Sequence, residues 1–148
     1  MIEQVVFLGP SLPREEAAKL LDAEYRAPAQ RGDVYACLGC GVRRILLIDG
    51  LFHGVPSVWQ RELLAAIDEG IEVLGASSMG ALRATELLPY GMQGFGRIFE
   101  SYRDGVIDGD YGSAADKTMP ATRGLRGRLR REALSGASCD TWCVSFLR

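Results

Sequence analysis

Three short blocks of consecutive apolar residues punctuate the chain: Gln4-Val5-Val6-Phe7-Leu8, Arg44-Ile45-Leu46-Leu47-Ile48 and Ile71-Glu72-Val73-Leu74. Unbroken apolar runs of this length, closed by turn residues, read as strands buried on both faces. Gly9-Pro10-Ser11 closes the first and Asp49-Gly50 the second. The segments between them carry helical signals instead. Pro13 to Leu21 predicts a helix: Ser11 can cap it, Pro13 suits its first turn, and Glu15 and Glu16 suit its positive end. Tyr25 to Gln30 reads as a Pro-containing connection, and Val34 to Leu38 as a short helix ended by Gly39 or Gly41. Ser57 to Asp68 places Val58, Leu63, Leu64 and Ile67 at helical spacing, with Gly70 just past the end. Ala81 to Leu88 and Phe95 to Tyr102 predict two further helices, separated by Pro89-Tyr90-Gly91.

Strand alternating with helix predicts an α/β fold, a three-layer parallel sheet with helices on both faces. Such sheets bind ligands at the carboxyl ends of their strands. Those ends carry Ser11, Asp49 and Ser77-Ser78, so Ser11, Asp49 and Ser78 are expected to share one crevice.

The third strand runs into Gly75-Ala76-Ser77-Ser78-Met79-Gly80-Ala81-Leu82-Arg83. Around Ser78 the pattern is small-x-Ser-x-Gly, with Ala76 and Gly80 as the small residues. Small neighbours let a sharp strand-to-helix turn lift one hydroxyl clear of the backbone, with the next N–H groups, here Met79 and Gly80, aimed at developing negative charge. On that reading Ser78 is a nucleophile, Met79 and Gly80 form an oxyanion hole, and Ser11 and Ser77 add anion-binding donors. The competing reading makes Ser77 an N-cap and Gly75 a plain turn residue.

Composition narrows the field. The chain has 148 residues, 47% hydrophobic and 24% charged, which suits one globular domain with a sizeable core. A net charge of −2 gives no reason to expect nucleic acid or an anionic membrane as partner. The apolar runs are too short to span a bilayer, and Met1-Ile2-Glu3-Gln4 lacks a secretory pattern, so a cytoplasmic protein with reduced thiols is expected. No Gly-x-Gly-x-x-Gly or Walker sequence is present, which ranks a phosphate-binding Rossmann-like protein last, and no cofactor is expected. Cys37-x-x-Cys40 and Cys139-x-x-x-Cys143 could hold zinc, or the first pair could be redox-active. Small core-facing residues on a short helix is the preferred reading, and no metal site is assigned.

From Lys117 to Arg131 the charged residues are all basic: Lys117, Arg123, Arg126, Arg128, Arg130 and Arg131. Apolar periodicity fades there too. The chain therefore divides into a core at 1–112 and an Arg-rich tail at 113–148, read as a solvated or disordered arm or a truncated or frameshifted end. Asp49 either caps the next turn or orients a base or water. His53, the one histidine, sits in a loop and is a solvated residue or an alternative base. Arg83 and Glu86 read as a surface i, i+3 pair, with Arg83 reaching an anionic terminus as the alternative. Arg31 and Asp33 tie a loop to a helix start. Phe52 and Trp59 read as core, although an exposed Trp59 would make a partner anchor.

Taken together, several segments resemble the TfuA-like family. They are Val6-Phe7-Leu8-Gly9-Pro10-Ser11-Leu12, Arg31-Gly32-Asp33, Leu47-Ile48-Asp49-Gly50-Leu51-Phe52, Val58-Trp59, the serine block through Ala84, and Gly91-Met92 with Gly94-x-Gly96. The resemblance implies an accessory protein for YcaO-type enzymes in peptide backbone thioamidation, a step of ribosomal peptide biosynthesis. It implies a hydrolase that releases sulfide from the C-terminal thiocarboxylate of a small ThiS-like carrier by a Ser–Lys pair. Ser78 matches the motif serine. Where family members commonly carry His-Lys-Glu after Val-Trp, this chain has Gln60-Arg61-Glu62. Arg61 stays protonated and cannot act as a base, but it can hold a thiocarboxylate as a fork of donors. The resulting candidate site is Ser78, Asp49 and Arg61 for chemistry, Met79, Gly80, Ser11 and Ser77 for the oxyanion, and Arg31 and Arg83 for binding. The alternative function is a catalytically weak adaptor that docks a YcaO enzyme.

Overall fold

The computed structural model describes residues 3–49 and 54–106. Among these, five parallel strands form one sheet in the order β2-β1-β3-β4-β5. The three apolar runs are its centre: β1 (Gln4–Leu8), β3 (Arg44–Ile48) and β4 (Glu72–Ala76). They pair without a slip, from Gln4 beside Arg44 beside Glu72 at one end to Leu8 beside Ile48 beside Ala76 at the other. The edges are three-residue strands, β2 (Glu24–Arg26) and β5 (Gln93–Phe95). α1 (Arg14–Ala18) connects β1 to β2, α2 (Gln60–Asp68) connects β3 to β4, α3 (Ser78–Leu87) connects β4 to β5, and α4 (Gly96–Arg103) follows. A 3₁₀ turn at Tyr35–Cys37 lies between β2 and β3.

The central strands are continuous apolar runs because both sheet faces are covered. Val5, Phe7, Ile45, Leu47 and Val73 pack with Leu63 and Ala66 of α2, Met79, Leu82 and Leu87 of α3, and Phe99 of α4. Val6, Leu8, Leu46, Ile48 and Leu74 pack with Leu12 and with Ala17 of α1. Helices thus lie on both faces, as expected.

Two strands escape the hydrophobic pattern. Glu24–Arg26 falls where a loop was expected to begin, and Gln93–Phe95 where a helix was expected to start. Neither has an apolar run; pairing with β1 and with β4 makes them strands, not local propensity. The first helix is also shorter than Pro13 to Leu21, and Pro13, not Ser11, is its N-cap residue. Ser11 is engaged elsewhere, as described below. α3 begins at Ser78, earlier than the predicted Ala81, because its first turn is seated against the sheet.

That seating is very close. A Cβ on Gly75 would stand 2.2 Å from the Gly80 carbonyl oxygen, and one on Gly80 would stand 2.1 Å from the Leu47 carbonyl oxygen. Backbone meets backbone, so neither contact can be relieved by a side-chain rotation. His53, Phe52, the pair Cys139 and Cys143, and the tail at 113–148 lie outside the described residues.

Gly80→Ala should lower stability by about 1–3 kcal/mol through overpacking. A thermal unfolding curve checks this: the midpoint should fall by several degrees, and an unchanged midpoint would mean that α3 is free to lift away from β3.

Candidate functional site

In a parallel sheet every strand ends on the same edge. Here the chain leaves β1 for β2 on one side and returns to β3 on the other, so the strand order reverses between β1 and β3. The carboxyl ends flanking such a reversal frame a crevice, the usual ligand position in open α/β sheets. Residues after β1, β3 and β4 all meet at this edge.

The first link is between Ser11 and Asp49. The Ser11 backbone N–H donates to Asp49 Oδ2 at 2.8 Å, and the Ser11 hydroxyl donates to Oδ1 at 2.7 Å. Asp49 is 4% exposed and adopts φ 71°. Its side chain folds back over the end of β1, where a Cβ on Gly9 would stand 2.5 Å from the Asp49 Cβ. Gly9 is therefore the residue that makes room for the carboxylate. The backbone laces the three strand ends together: Gly9 N–H donates to Ile48 O at 3.0 Å, and Asp49 N–H donates to Ala76 O at 3.3 Å. Burial pushes the Asp49 carboxyl above the ordinary aspartate value of 3.8, and the two Ser11 hydrogen bonds pull it partly back.

The second link begins one residue after Ala76. Ser77 has φ 57° and ψ 147°, and Ser78 has φ 41°. The Ser77 pair lies in a region that glycine occupies almost alone. Together with Asp49, these are all the non-glycine residues of positive φ among those described, and all three sit on one edge of the sheet. Strain of about 1–3 kcal/mol at each such position persists only where surrounding packing enforces it. The enforcing contact is the Gly75–Gly80–Leu47 seating. Ser77 is the N-cap residue of α3, and its carbonyl accepts the first helical bond from Ala81 N–H at 2.9 Å. The N–H groups of Ser78, Met79 and Gly80 precede that bond and have no carbonyl of the helix to meet. Ser77 is buried and Ser78 half-buried. A strand, a strained serine turn and a helix with forward-facing amides is the arrangement of a nucleophile elbow.

α2 also starts on this edge. Glu62, fully buried, accepts from Trp59 N–H at 2.8 Å, Gly32 N–H at 3.0 Å and Val34 N–H at 3.3 Å. One carboxylate thereby fixes both the start of α2 and the loop that carries Arg31. Asp33 secures that loop from the other end by accepting from Gln30 N–H at 2.8 Å. The Arg31 guanidinium lies 3.9 Å from the centre of the Trp59 ring, and Trp59 is 42% exposed. Trp59 is thus a rim residue and not the core residue expected. Arg61 is exposed in the first turn of α2.

Arg83 is 9% exposed. Its Nε donates to Val58 O at 3.0 Å and its Nη1 to Glu86 Oε2 at 2.6 Å. The i, i+3 pair with Glu86 exists, but Arg83 is a buried strut between α3 and the residue preceding Trp59. Gln60 Nε2 reaches the same Glu86 oxygen at 3.0 Å. Cys37 is buried in the core and Cys40 is exposed, both as free thiols. Burial pushes the Cys37 thiol up and keeps it protonated. No cluster of metal-ligating side chains occurs among the described residues.

The structure therefore brings Ser11 onto Asp49, anchors Asp49 to the strand end that leads into Ser77 and Ser78, and sets Arg31 and Arg61 on the α2 side of the same edge. Glu62, which the sequence reading left without a role, could have been found from its place three residues after Trp59, where a helix-start Glu reaches back to the N-cap amide.

The match to known families agrees with this geometry. The TfuA-like protein family matches residues 49–123, just over half of the chain. The chain belongs to the TfuA-like family. The matched TfuA-like segment starts at Asp49 and contains the whole serine turn, α2 and α3. The family is associated with YcaO-type thioamidation. No curated protein matches this TfuA-like chain. No helix among its described residues is long and apolar enough to cross a membrane.

Three outcomes test the site. Because the folded state binds the Asp49 proton more tightly than the unfolded chain, the stability this group contributes is complete below pH 3.8 and is lost as pH rises through the raised value. Asp49→Asn, which tolerates positive φ, should flatten the stability curve across that window, as read by urea unfolding at stepped pH. Ser11→Ala removes one donor to the carboxylate and should move the Asp49 midpoint further up, read from its carboxyl ¹³C shift. Glu62→Ala takes the acceptor from three backbone N–H groups, that of Val34 buried and those of Gly32 and Trp59 part-buried, and should cost about 2–3 kcal/mol, measured by the same unfolding experiment.

Proposed function

We propose that this protein hydrolyses the C-terminal thiocarboxylate of a small ThiS-like sulfur carrier and releases sulfide to a YcaO partner for backbone thioamidation. The observation that carries the reading is the strained Ser77-Ser78 turn at the start of α3, beside the buried Asp49. Ser78 Oγ attacks the thiocarboxylate carbon. The C–S bond breaks, the sulfur leaves with the serine proton as hydrosulfide, and the carrier is held as a serine ester. The Met79 and Gly80 amides stabilise the oxyanion beside Ser77, while Ser11, expected as a further anion donor, instead spends both its amide and its hydroxyl on Asp49. A water then cleaves the ester, leaving the carrier carboxylate and returning the serine proton. The balance is thiocarboxylate plus water giving carboxylate plus hydrogen sulfide. Asp49, short of ordinary acidity, orients that water.

The thiocarboxylate is an anion, and its charge must be met before a hydroxyl can attack it. Arg61 stands at the family's lysine position, and Arg31 stacks on the Trp59 ring nearby on the α2 side. Arg83 serves as a positioning residue in this scheme, because Val58 and Glu86 already occupy its donors.

A second reading has its own support. Arginine replaces the family lysine at position 61, and the exposed Trp59 with Arg31 stacked on it resembles the aromatic and arginine anchors of protein interfaces. On that reading the chain docks a YcaO enzyme and turns over slowly.

Sulfide release from a thiocarboxylated carrier separates the two. Ser78→Ala should abolish release. Arg61→Lys should raise it, by up to ~10²–10⁴-fold if the lysine becomes a general base. Release untouched by Ser78→Ala would end the hydrolase reading. Binding to YcaO that survives in both variants without any release would favour the adaptor.

A further inference from the structure

The edge that holds Ser11 and Asp49 continues into a cavity of about 310 Å³ at the carboxyl ends of β1 and β2. Leu8, Leu12, Pro13 and Tyr25 supply apolar surface, and Arg14 and Arg26 supply two positive charges. Its walls are held firmly. The Tyr25 hydroxyl donates to Leu21 O at 2.8 Å, and Arg26 is fixed by Glu24 at 2.7 Å. Arg14, by contrast, forms no ion pair among the described residues; its guanidinium stands 6.0 Å from the centre of the Tyr25 ring. A concave apolar site flanked by an uncommitted guanidinium suits a ligand with both an apolar and an anionic group.

Position narrows the ligand further. Neighbouring strands are about 4.8 Å apart, so the cavity lies roughly 12 Å along the edge from the end of β4, where Ser78 sits. An extended peptide advances ~3.3 Å per residue. A chain whose terminal carbon is at Ser78, and which runs past Asp49 and Ser11, brings its fourth or fifth residue from the end to this cavity.

We propose that the cavity is a specificity subsite for the tail of the carrier. It takes an apolar side chain about four residues before the attacked carbon, against Leu8, Leu12 and Tyr25, and an adjacent acidic side chain on Arg14. The proposal rests on the hydrolase reading for which atom is attacked, but its own content is recognition of an extended acidic peptide, which is measured without chemistry.

The probe is a fluorescein-labelled decapeptide with a free terminal carboxylate, carrying Leu and Glu at the fourth and fifth positions from the end. Its anisotropy is followed with the full-length protein. Arg14→Gln, at an exposed position, should weaken binding about tenfold, the worth of one charge-assisted hydrogen bond. The same loss should appear when the peptide Glu is replaced by Gln, and the two losses should not add. Ala27→Trp, which fills the cavity from an exposed lining position, should weaken binding at least as much while circular dichroism stays unchanged. Wild-type affinity in both Arg14→Gln and Ala27→Trp would overturn the proposal. So would displacement of the peptide by millimolar inorganic phosphate with no dependence on the Leu or Glu, since that describes a general anion site. Ser78→Ala decides the hydrolase reading through sulfide release, whereas the dependence of peptide affinity on Arg14 and Ala27 is read without turnover, so the two failures are distinct.

Discussion

Everything at the carboxyl edge depends on how closely the first turn of α3 lies on the sheet. The Gly80 carbonyl rests where a Gly75 side chain would begin, and the Gly80 α-carbon rests on the Leu47 carbonyl. With the helix pinned that tightly, the chain has a single residue, Ser77, between strand and helix in which to turn. Ser77 and Ser78 absorb the turn through positive φ angles that L-residues avoid. The amides of Met79 and Gly80 then emerge at a fixed point, aimed outward before the first helical hydrogen bond closes at Ala81. Preorganised donors of this kind need no rearrangement when charge develops in front of them.

Two buried carboxylates stand at this edge, and neither forms an ion pair among the described residues. Asp49 is held by the amide and hydroxyl of Ser11, and Glu62 by the amides of Gly32, Val34 and Trp59. In each case a charge satisfied by backbone donors ties a loop to a strand end or a helix start. Burying a charge is costly, and hydrogen bonds to the ionised form are what offset it. Asp49 remains harder to ionise than an ordinary aspartate, because desolvation outweighs the Ser11 bonds. A carboxyl in that condition beside a strained serine is a familiar mark of functional sites.

The central sheet was legible because its three strands are apolar on both faces, a pattern that side chains at Val5, Leu46 and Val73 announce without help from their neighbours. The edge strands were not, since Glu24, Arg26, Gln93 and Gly94 owe their conformation to β1 and β4. The site divides in the same way. Ser11, Asp49 and Ser78 could be placed on one edge from the fact that each follows a strand. The bond between Ser11 and Asp49 could not, because it spans 38 positions and depends on Gly9 leaving space. Trp59 was read as core, with an exposed partner anchor as the alternative. The stacking of Arg31 on its face gives the ring a reason to stay at the rim.

The two edge strands have a consequence for how a partner can be recognised. Each is three residues long, and β2 carries Glu24 and Arg26 while β5 carries Gly94. An incoming chain that extended the sheet by strand addition would exchange only two or three main-chain hydrogen bonds on either side, since alternate groups of an edge strand point inward. Main-chain pairing is blind to side chains, so a protein that relied on it would accept many sequences. With that route reduced to a few bonds, the selection of any partner falls to side chains standing around the strand ends.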